Sequence, residues 1–464
     1  MELKNVFVNK TGTALLGLLA CLLLAPSCTK ENEPDLSEEG TNEWIYKTMS
    51  SYYLWYEDMP KKETLNFSQS PDKFFESLLS KQDGVSYKEG WLTFSRIEKK
   101  KEATKSISED DSYGFEFAYM KKGSLYYAWV LYVLPGSPAD EAGLKRGDWI
   151  IGVGGNTPNV TNMSAFYKGG ATTFLLGRYE NKEFTPGRTL TVPASRAVED
   201  TPFLKDSVYT IGGKKIGYMV YNTFASGPDN DGDAYDKQMK QIFASFKSQQ
   251  VKEFVLDLRY NQGGLVSSAQ LLTSFLSPAA GLGKTFCYMV YNDQHTKENK
   301  DLKLYTSSEL SGNNLDLPRL YVLTGSSTAS ASEAVINCLI PYMTRPNITI
   351  IGEKTIGKRV GSSTIGTNEK YDWLLHPITL SIYNADHNAD YANGFAPDIA
   401  MEEVVVGNTL YPFGDKRDPL LGEALTLITG LKAKSVAAQP ENTSMRIGGT
   451  SLDRRTIKGL IVNN

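Results

Sequence analysis

The segment Leu323–Ile340, LTGSSTASASEAVINCLI, places a hydroxyl-rich turn between a predicted strand and a predicted helix. Tyr321–Leu323 is a short apolar run typical of a buried strand, and the apolar residues after Ser330 recur at helical spacing. A serine at such a junction lies beside unpaired backbone N–H groups and the positive end of the helix dipole. Both stabilise the oxyanion that forms when a hydroxyl attacks a carbonyl carbon. The alternative interpretation is an ordinary helix N-cap with Glu333 in the first turn.

A nucleophilic serine needs a base, and the sequence favours a lysine over a histidine. None of the three histidines has a recognisable motif around it: His295, His376 and His387. A lysine can act as the base when burial lowers its pKa enough to leave a neutral amine near pH 7. Lys358 is the candidate, because it follows Gly357 and the predicted strand Ile348–Gly352. As an isolated residue it would be a solvated surface lysine.

These residues resemble the motifs of the C-terminal processing (tail-specific) serine peptidases. The family motif S-A-S-A-S-E is matched by Thr328–Glu333, TASASE, and the motif G-K-G-T-V-Q by Gly357–Ser362, GKRVGS. The resemblance implies that Ser330 is the nucleophile and that Lys358 is the base.

Two further positions enter through the same resemblance. The family often has a glutamine four residues after the lysine, and this chain has Ser362 there. Ser362, or its neighbour Ser363, is therefore the candidate for a third catalytic member. The segment Asn393–Ile399 resembles the family motif G-x-x-P-D-x, which is expected to close the fold.

An oxyanion site is implied by the segment Val255–Gly264, which resembles the family motif D-L-R-N-N-P-G-G. Glycine lets the backbone approach a substrate carbonyl and present an N–H group. The N–H of Gly263 or Gly264, together with that of Ala331, is expected to hold the oxyanion. Without the other motifs, this segment would be only a strand followed by a turn.

A PDZ module is indicated upstream of these motifs. The segment Tyr113–Phe117, YGFEF, is followed by Val133–Gly155, VLPGSPADEAGLKRGDWIIGVGG, which is similar to PDZ sequences. In such a module, backbone N–H groups capture a peptide carboxylate, and the peptide adds a strand to the sheet edge. The resemblance assigns peptide binding to Tyr113, Gly114, Phe115 and Phe117. On its own, YGFEF is an alternating strand.

The predicted fold class is α/β, with about three domains for 464 residues. The family resemblance implies a crotonase-like ββα peptidase core at 206–432 and a mainly β PDZ domain at 105–200. A small N-terminal helical domain is predicted at 42–104, where the aromatic residues of EWIYKTMSSYYLWYEDMP fit a helix laid on the rest of the molecule. Residues 433–464 are predicted to be a mobile tail.

The N-terminus predicts export. Lys4 and Lys10 precede the apolar run Ala14–Leu24, which is short for a membrane span and typical of a secretory signal. Cys28 follows small residues, as in a bacterial lipoprotein cleavage site, so residues 1–28 are predicted to be a lipoprotein signal peptide with Cys28 lipidated. The alternative is ordinary secretion. Residues 29–41 are predicted to be an acidic tether, similar to the sorting signal of surface lipoproteins in the Bacteroides group. The expected location is the cell envelope, as an outer-membrane lipoprotein facing the periplasm or the surface.

The composition argues against other classes of partner. The net charge of −4 shows no basic excess, so nucleic acid is not an expected partner. The run Asp229–Asp233 has alternating carboxylates, but Ala234 and Lys240 stand where a calcium loop needs glycine and glutamate, which favours a solvated loop. Cys287 and Cys338 are expected to be buried thiols rather than a disulfide. No metal or cofactor is expected.

The sequence therefore predicts a lipid-anchored serine endopeptidase with a Ser330/Lys358 dyad, acting on proteins or peptides. Lys358 would take the proton of Ser330 during attack and return it to the leaving amine. One alternative is a non-catalytic lipoprotein that binds peptides or apolar ligands on the same fold. Another is a non-peptidase acyl hydrolase. The presence of both the serine and the lysine favours catalysis, and the PDZ module favours peptides over small esters.

Overall fold

The computed structural model describes most of the chain. The described residues are 34–88, 90–100, 111–159, 161–180, 183–228, 232–403, 409–431, 447–454 and 460–461. The predicted signal peptide with Cys28, most of the predicted tether, and Asp229–Asp231 lie outside these residues. Within the described residues, no helix combines the length and hydropathy needed to cross a membrane.

The described residues form seven α-helices and twenty-three strands, numbered in chain order. The helices are α1 Glu38–Tyr52, α2 Pro71–Ser77, α3 Pro138–Glu141, α4 Ala234–Ser248, α5 Val266–Leu276, α6 Ala331–Met343 and α7 Pro419–Thr429. The first strands are β1 Val85–Tyr87, β2 Gly90–Leu92, β3 Arg96–Lys99, β4 Asp111–Ser112, β5 Phe115–Lys122, β6 Leu125–Val133, β7 Trp149–Val153, β8 Thr172–Glu180, β9 Glu183–Val192 and β10 Arg196–Ala197. The remaining strands are β11 Phe203–Ile211, β12 Lys214–Tyr221, β13 Glu253–Asp257, β14 Thr285–Tyr291, β15 Lys300–Lys303, β16 Leu320–Thr324, β17 Ile348–Gly352, β18 Val360–Ser362, β19 Trp373–His376, β20 Ile378–Tyr383, β21 Ile399–Ala400, β22 Ile447–Thr450 and β23 Leu460–Ile461.

The core is built on a six-stranded sheet in the order β11-β12-β13-β16-β17-β21. All neighbouring strands from β12 to β21 are parallel, and β11 adds an antiparallel edge. Parallel strands need a crossover between them, and helices in this chain supply it. The predicted α/β fold class is confirmed.

Helices cover both faces of this sheet. On one face, residues of α4, α5 and α6 such as Phe243, Leu272 and Ile336 belong to the largest apolar cluster, which also contains the thiols of Cys287 and Cys338. Both cysteines are buried and free, as predicted. On the other face, α7 packs its leucines against β12, β13, β16 and β17. A second sheet, in the order β15-β14-β20-β18-β23, lies in the same part of the chain.

The predicted PDZ region forms its own sheet, in the order β22-β5-β6-β7-β8-β9. Within the segment that resembles PDZ sequences, the structure has the short helix α3, which ends at Glu141, and the buried strand β7. The apolar centre of this sheet is aromatic: the Phe115 ring lies 5.5 Å from that of Phe117 and 5.8 Å from that of Phe174.

The N-terminal region differs from the predicted helical domain in two ways. Helix α1 ends at Tyr52, so Trp55 and Tyr56 lie beyond it, and it begins at Glu38, inside the predicted tether. The Oγ of Ser37 accepts from Gly40 N and caps this start. The region also contains strands, and β3 pairs with β19 of the core.

The C-terminal region also differs from its prediction. A mobile tail is wrong for the described residues Ile447–Arg454, because β22 joins the PDZ sheet and Leu452 is buried. Strand β23 lies further along the predicted tail and pairs in parallel with β18. Composition alone could not show these pairings, because their partners lie far away in the chain.

Candidate active site

Three loops that follow adjacent parallel strands meet at one edge of the core sheet. The loop after β13 carries the two predicted oxyanion glycines, the loop after β16 carries Ser330, and the loop after β17 carries Lys358. The carboxyl ends of parallel strands lie at the same edge, where α/β folds commonly bind their ligands. The order β13-β16-β17 therefore brings together the three predicted motifs.

Ser330 is held in an unusual backbone conformation at the start of α6. Its φ of 61° and ψ of −112° are rare for a residue with a Cβ, and such strain is often found at functional sites. The preceding turn is fixed by Thr328, whose Oγ1 donates to Leu258 O at 2.8 Å, and by Ala329 N, which donates to Asn261 O at 3.2 Å. The Oγ of Ser330 is buried and has no hydrogen-bond partner.

Lys358 is fully buried, and its Nζ also has no hydrogen-bond partner. Burial lowers its pKa to about 7, against the opposing charges of Asp83 and Glu333. The Nζ lies 5.0 Å from the centre of the Phe94 ring. The lysine is therefore poised to be a neutral amine near pH 7, but it does not hydrogen-bond to Ser330 in this structure.

Glu333 links the nucleophile to the lysine loop. Its Oε2 accepts from Ser330 N at 2.8 Å and from Lys358 N at 2.9 Å, while its Oε1 accepts from Gly357 N at 2.7 Å and from Thr355 Oγ1 at 2.6 Å. Two donors on one oxygen place the main-chain nitrogens of Ser330 and Lys358 within about 6 Å of each other.

Burial raises the pKa of Glu333 to about 7, and the four donors stabilise its ionised form. From the sequence alone, this glutamate is identified only as a first-turn residue. Its position three residues after the nucleophile was the available signal, since a glutamate there reaches back to the N-cap N–H.

The two glycines of the oxyanion motif have different environments. The N–H of Gly263 donates to Asn261 Oδ1 at 2.8 Å, so it is already used. A Cβ on Gly263 would lie 2.7 Å from the Ser330 Cβ, and one on Gly264 would lie 2.1 Å from Phe224 O. Both positions therefore require glycine for close packing. The N–H groups of Gly264 and Ala331 have no acceptor within the described residues, which leaves these two for an oxyanion.

Ser362 and Ser363 lie next to the lysine loop. Both are buried, and Ser362 ends β18. The Oγ of Ser363 hydrogen-bonds to Thr379 Oγ1 at 2.9 Å. No contact of either hydroxyl with Lys358 is seen, so a third catalytic member at Ser362 stays a prediction.

The N-terminal region forms a wall of the site that the sequence did not predict. Asp83 is buried and accepts from Tyr53 Oη at 2.8 Å, Ser95 N at 2.9 Å and Phe94 N at 3.2 Å. This carboxylate fixes the loop whose Phe94 ring lies against Lys358. Burial raises the pKa of Asp83. The apolar cluster of this region includes Ala329, so the wall reaches the residue beside the nucleophile.

The predicted peptide-binding residues of the PDZ domain lie together, but most are occupied by its own structure. Gly114 N donates to Ser112 Oγ at 3.1 Å. The side chains of Tyr113, Phe115 and Phe117 are buried in the domain centre. These side chains are thus packed within the domain, and the backbone edge of β5 is already paired with β22.

A buried charged cluster joins the PDZ domain to the core. Arg146 of the PDZ domain bonds to Glu403, and Arg259, which follows β13, bonds to Asp257, Glu403 and Asp418. Burial alone would raise the pKa of Glu403, but the two arginines outweigh it and hold it at about 2. The cluster anchors the strand end that leads to the oxyanion loop.

The three histidines lie outside this arrangement. His295 pairs with Glu298, His376 with Glu98, and the His387 ring stacks on Tyr288 at 4.1 Å. These contacts give the three histidines structural roles, in agreement with the absence of a motif around them.

Family models match three parts of the chain. The Peptidase family S41 model matches residues 215–401, the Peptidase S41 N-terminal domain model matches 40–94, and a PDZ domain model matches 129–167. The first match includes Ser330, Lys358 and both glycines of the oxyanion motif. The predicted PDZ domain is confirmed.

Individual relatives agree with these matches. The carboxyl-terminal-processing protease of Synechocystis is 28% identical over 65% of this chain and 65% of its own length. The CtpA-like serine protease of Staphylococcus aureus, strain bovine RF122 / ET3-1, is 25% identical over 84% of this chain and 70% of its own length. The chain thus spans just under two thirds of the cyanobacterial relative.

A solved structure extends the similarity to nearly the whole fold. A crystal structure of an S41 protein from Bacteroides fragilis NCTC 9343 superposes with a TM-score of 0.74 at 35% identity. The superposition covers 83% of this chain and 97% of that protein. With this coverage, and with the family model lying over the site itself, the chain belongs to the serine peptidases of family S41.

Proposed function

We propose that the protein hydrolyses peptide bonds with Ser330 as nucleophile and Lys358 as general base. The observation that carries this proposal is the pair of buried, unpartnered polar atoms, Ser330 Oγ and Lys358 Nζ, on backbones joined by Glu333. An unpaired polar atom in a protein interior is costly, so such groups usually have a function.

The reaction follows from the protonation state of the lysine. Neutral Lys358 accepts the Ser330 proton as the hydroxyl attacks the substrate carbonyl, and the resulting ammonium protonates the leaving amine. The N–H groups of Gly264 and Ala331 stabilise the oxyanion, with Gly263 permitting the close approach. Water then releases the acyl group from Ser330 with Lys358 again as the base.

The direct test is acylation of the protein by a serine-reactive fluorophosphonate, with the wild type compared with Ser330→Ala. The proposal predicts one labelled site, lost in the variant, with hydrolysis of an unfolded protein lost in parallel. Peptide binding without labelling or hydrolysis in the wild type would support the non-catalytic alternative. Hydrolysis of small esters but not of peptides would support an acyl hydrolase.

The substrate is proposed to be an extended peptide or an unfolded protein. The PDZ domain supports this, because a peptide adds to a PDZ sheet edge through main-chain hydrogen bonds. Reading of a C-terminal carboxylate by the Gly114–Phe115 backbone remains a proposal, and it would require Gly114 N to release Ser112 Oγ. Equal cleavage rates for one peptide as free acid and as amide would remove this role.

Attachment to the membrane is proposed from the N-terminal sequence. A lipidated Cys28 would anchor the protein in the cell envelope, since each buried CH₂ of an acyl chain contributes about 0.8 kcal/mol. Cys28→Ala is expected to move the protein from the membrane fraction to the soluble fraction. A variant that stays in the membrane fraction would contradict lipoprotein processing.

A further inference from the structure

The edge of the PDZ sheet where a peptide would add is occupied by the chain's own C-terminal segment. Strand β22 pairs antiparallel with β5, with Thr450 opposite Ala118, and the other neighbour of β5 is β6. An edge strand without a neighbour exposes unpaired N–H and C=O groups. An added antiparallel strand is also the way in which a sheet edge takes up a peptide.

The side chains along the edge of β5 determine which types of residue can pair with this strand. Phe117 N donates to Ser451 Oγ at 2.8 Å, and this hydroxyl donates to the buried carboxylate of Glu116. Opposite Gly449 lies Tyr119, whose Oη would be 2.3 Å from an added Cβ. The edge therefore favours a small residue opposite Tyr119, followed two positions later by a hydroxyl.

The next residue leads from the PDZ domain to the catalytic core. Leu452 is buried, and its carbonyl accepts from Gln262 Nε2 at 3.3 Å, directly before Gly263 of the oxyanion motif. A cavity of about 710 Å³ is lined by Leu452 and by Ser326 and Ser327 of the nucleophile turn. A peptide lying along this edge is thus directed toward the catalytic loops.

The remaining contact is an ion pair with the N-terminal domain. Asp453 accepts from Lys88 Nζ at 2.7 and 2.9 Å. Both side chains are partly exposed, at 31% and 41%, so solvent screens the pair and it adds little. The buried Leu452 side chain, the bridging Ser451 hydroxyl and the short strand β22 are contacts of this segment that a competing peptide could also make.

We propose that Gly449–Asp453 is a resident ligand of the β5 edge, and that an incoming peptide must displace it. The partner that fits the edge is an extended peptide with a small residue, a hydroxyl two positions later and an apolar residue directly after it. The proposal rests on the proposed function only in taking peptides as substrates. Its test measures binding in the Ser330→Ala background, so the outcome does not depend on catalysis.

The test uses an engineered disulfide to hold the segment Gly449–Asp453 on the edge of β5. Cross-strand antiparallel residues are close enough for a disulfide, so Ala118→Cys and Thr450→Cys are combined. The probe is a fluorescent peptide of the sequence IGGTSLDR, copied from Ile447–Arg454, and its binding is followed by fluorescence anisotropy. The reduced protein is expected to bind it at least about tenfold more tightly than the oxidised protein. A variant lacking residues 447–464 is expected to bind it still more tightly, because no tethered competitor remains.

Control variants and control peptides distinguish the effect of the disulfide on peptide binding from other effects of the two substitutions. Each single cysteine variant should bind equally well in reduced and oxidised buffer, and a scrambled peptide should not bind. Within the peptide, changes equivalent to Ser451→Ala and Leu452→Asp should weaken binding, the second more strongly. Failure of the disulfide to form would show that the segment does not lie on β5 in solution. Equal affinity of the oxidised and reduced forms would overturn the proposal, even if the truncated variant does not fold.

Discussion

The catalytic site and the charged cluster between the PDZ domain and the core are both buried, but they differ in whether their polar atoms have partners. At the cluster, Arg146 and Arg259 direct their guanidinium groups at carboxylates, so each charge is satisfied. At the site, Ser330 Oγ and Lys358 Nζ have no partner. The cluster holds two domains together, whereas the site keeps two groups available for a substrate.

Burial disfavours the charged form of both Lys358 and Glu403, but it decides the pKa of only one of them. Burial dominates for Lys358 and lowers its pKa to about 7. For Glu403, two neighbouring arginines outweigh burial, and the pKa falls to about 2. A buried charge with partners stays charged, and a buried amine without close partners tends to become neutral.

Removing the nucleophile should have the largest effect. Ser330→Ala is expected to lower kcat by roughly 10⁴-fold or more, since the nucleophile acts as a unit with its base. Thermal unfolding should change little, because the lost hydroxyl has no partner. The matched control is Ser332→Ala, whose Oγ donates to Asn261 O at 3.1 Å. An inactive Ser332→Ala variant together with an active Ser330→Ala variant would show that the wrong serine was chosen.

Changing the proposed base should lower kcat nearly as much as removing the nucleophile. Lys358→Arg is expected to be about as inactive as Lys358→Ala, because arginine stays protonated at any accessible pH and cannot accept the serine proton. Steady-state peptide hydrolysis between pH 6 and about 9 tests this. Substantial activity in the arginine variant would exclude a neutral lysine as the base.

Glu333→Gln should have an intermediate effect. The amide keeps one acceptor oxygen but brings a donor toward N–H groups, so the link between Ser330 and Lys358 is loosened. A misplacement of about 1 Å can cost roughly a hundredfold in rate. The control is Glu353→Gln, whose carboxylate accepts from Ser326 N at 3.2 Å and makes no contact with Ser330 or Lys358. Equal hydrolysis rates for the wild type and both variants would show that Glu333 does not position Ser330 and Lys358.

Arg146→Met should have the smallest effect on chemistry and a large one on stability. Removing one partner of a buried ion pair typically costs about 3–5 kcal/mol. We expect a lower thermal midpoint, a change in kcat of less than about tenfold, and an unchanged pH dependence, because Lys358 keeps its surroundings. Arg196→Met removes an exposed pair with Glu141 and serves as the control. A shifted pH profile in Arg146→Met would show that the two regions are coupled electrostatically.

Local patterns were sufficient to predict the elements that carry the site. Strand β17 and helix α6 follow from apolar runs and their spacing, and the motif resemblance led to Ser330 and Lys358. The contacts that complete the site are long-range and left no local signal. Asp83 reaches the lysine loop through Phe94. Away from the site, Lys88 pairs with Asp453 across 365 positions of sequence. Polar and aromatic composition at either end could not reveal such pairings.

The central claim is that Lys358 is a neutral amine near pH 7 because it is buried without a hydrogen-bond partner. The most direct measurement is an NMR titration of protein labelled with ¹³C at the lysine ε-carbon, with the Lys358 resonance assigned by its loss in Lys358→Met. The account predicts a titration midpoint near pH 7, well below the ordinary lysine value of 10.5. A midpoint close to 10.5 would contradict it, because the lysine would then be charged at neutral pH and unable to accept the proton of Ser330.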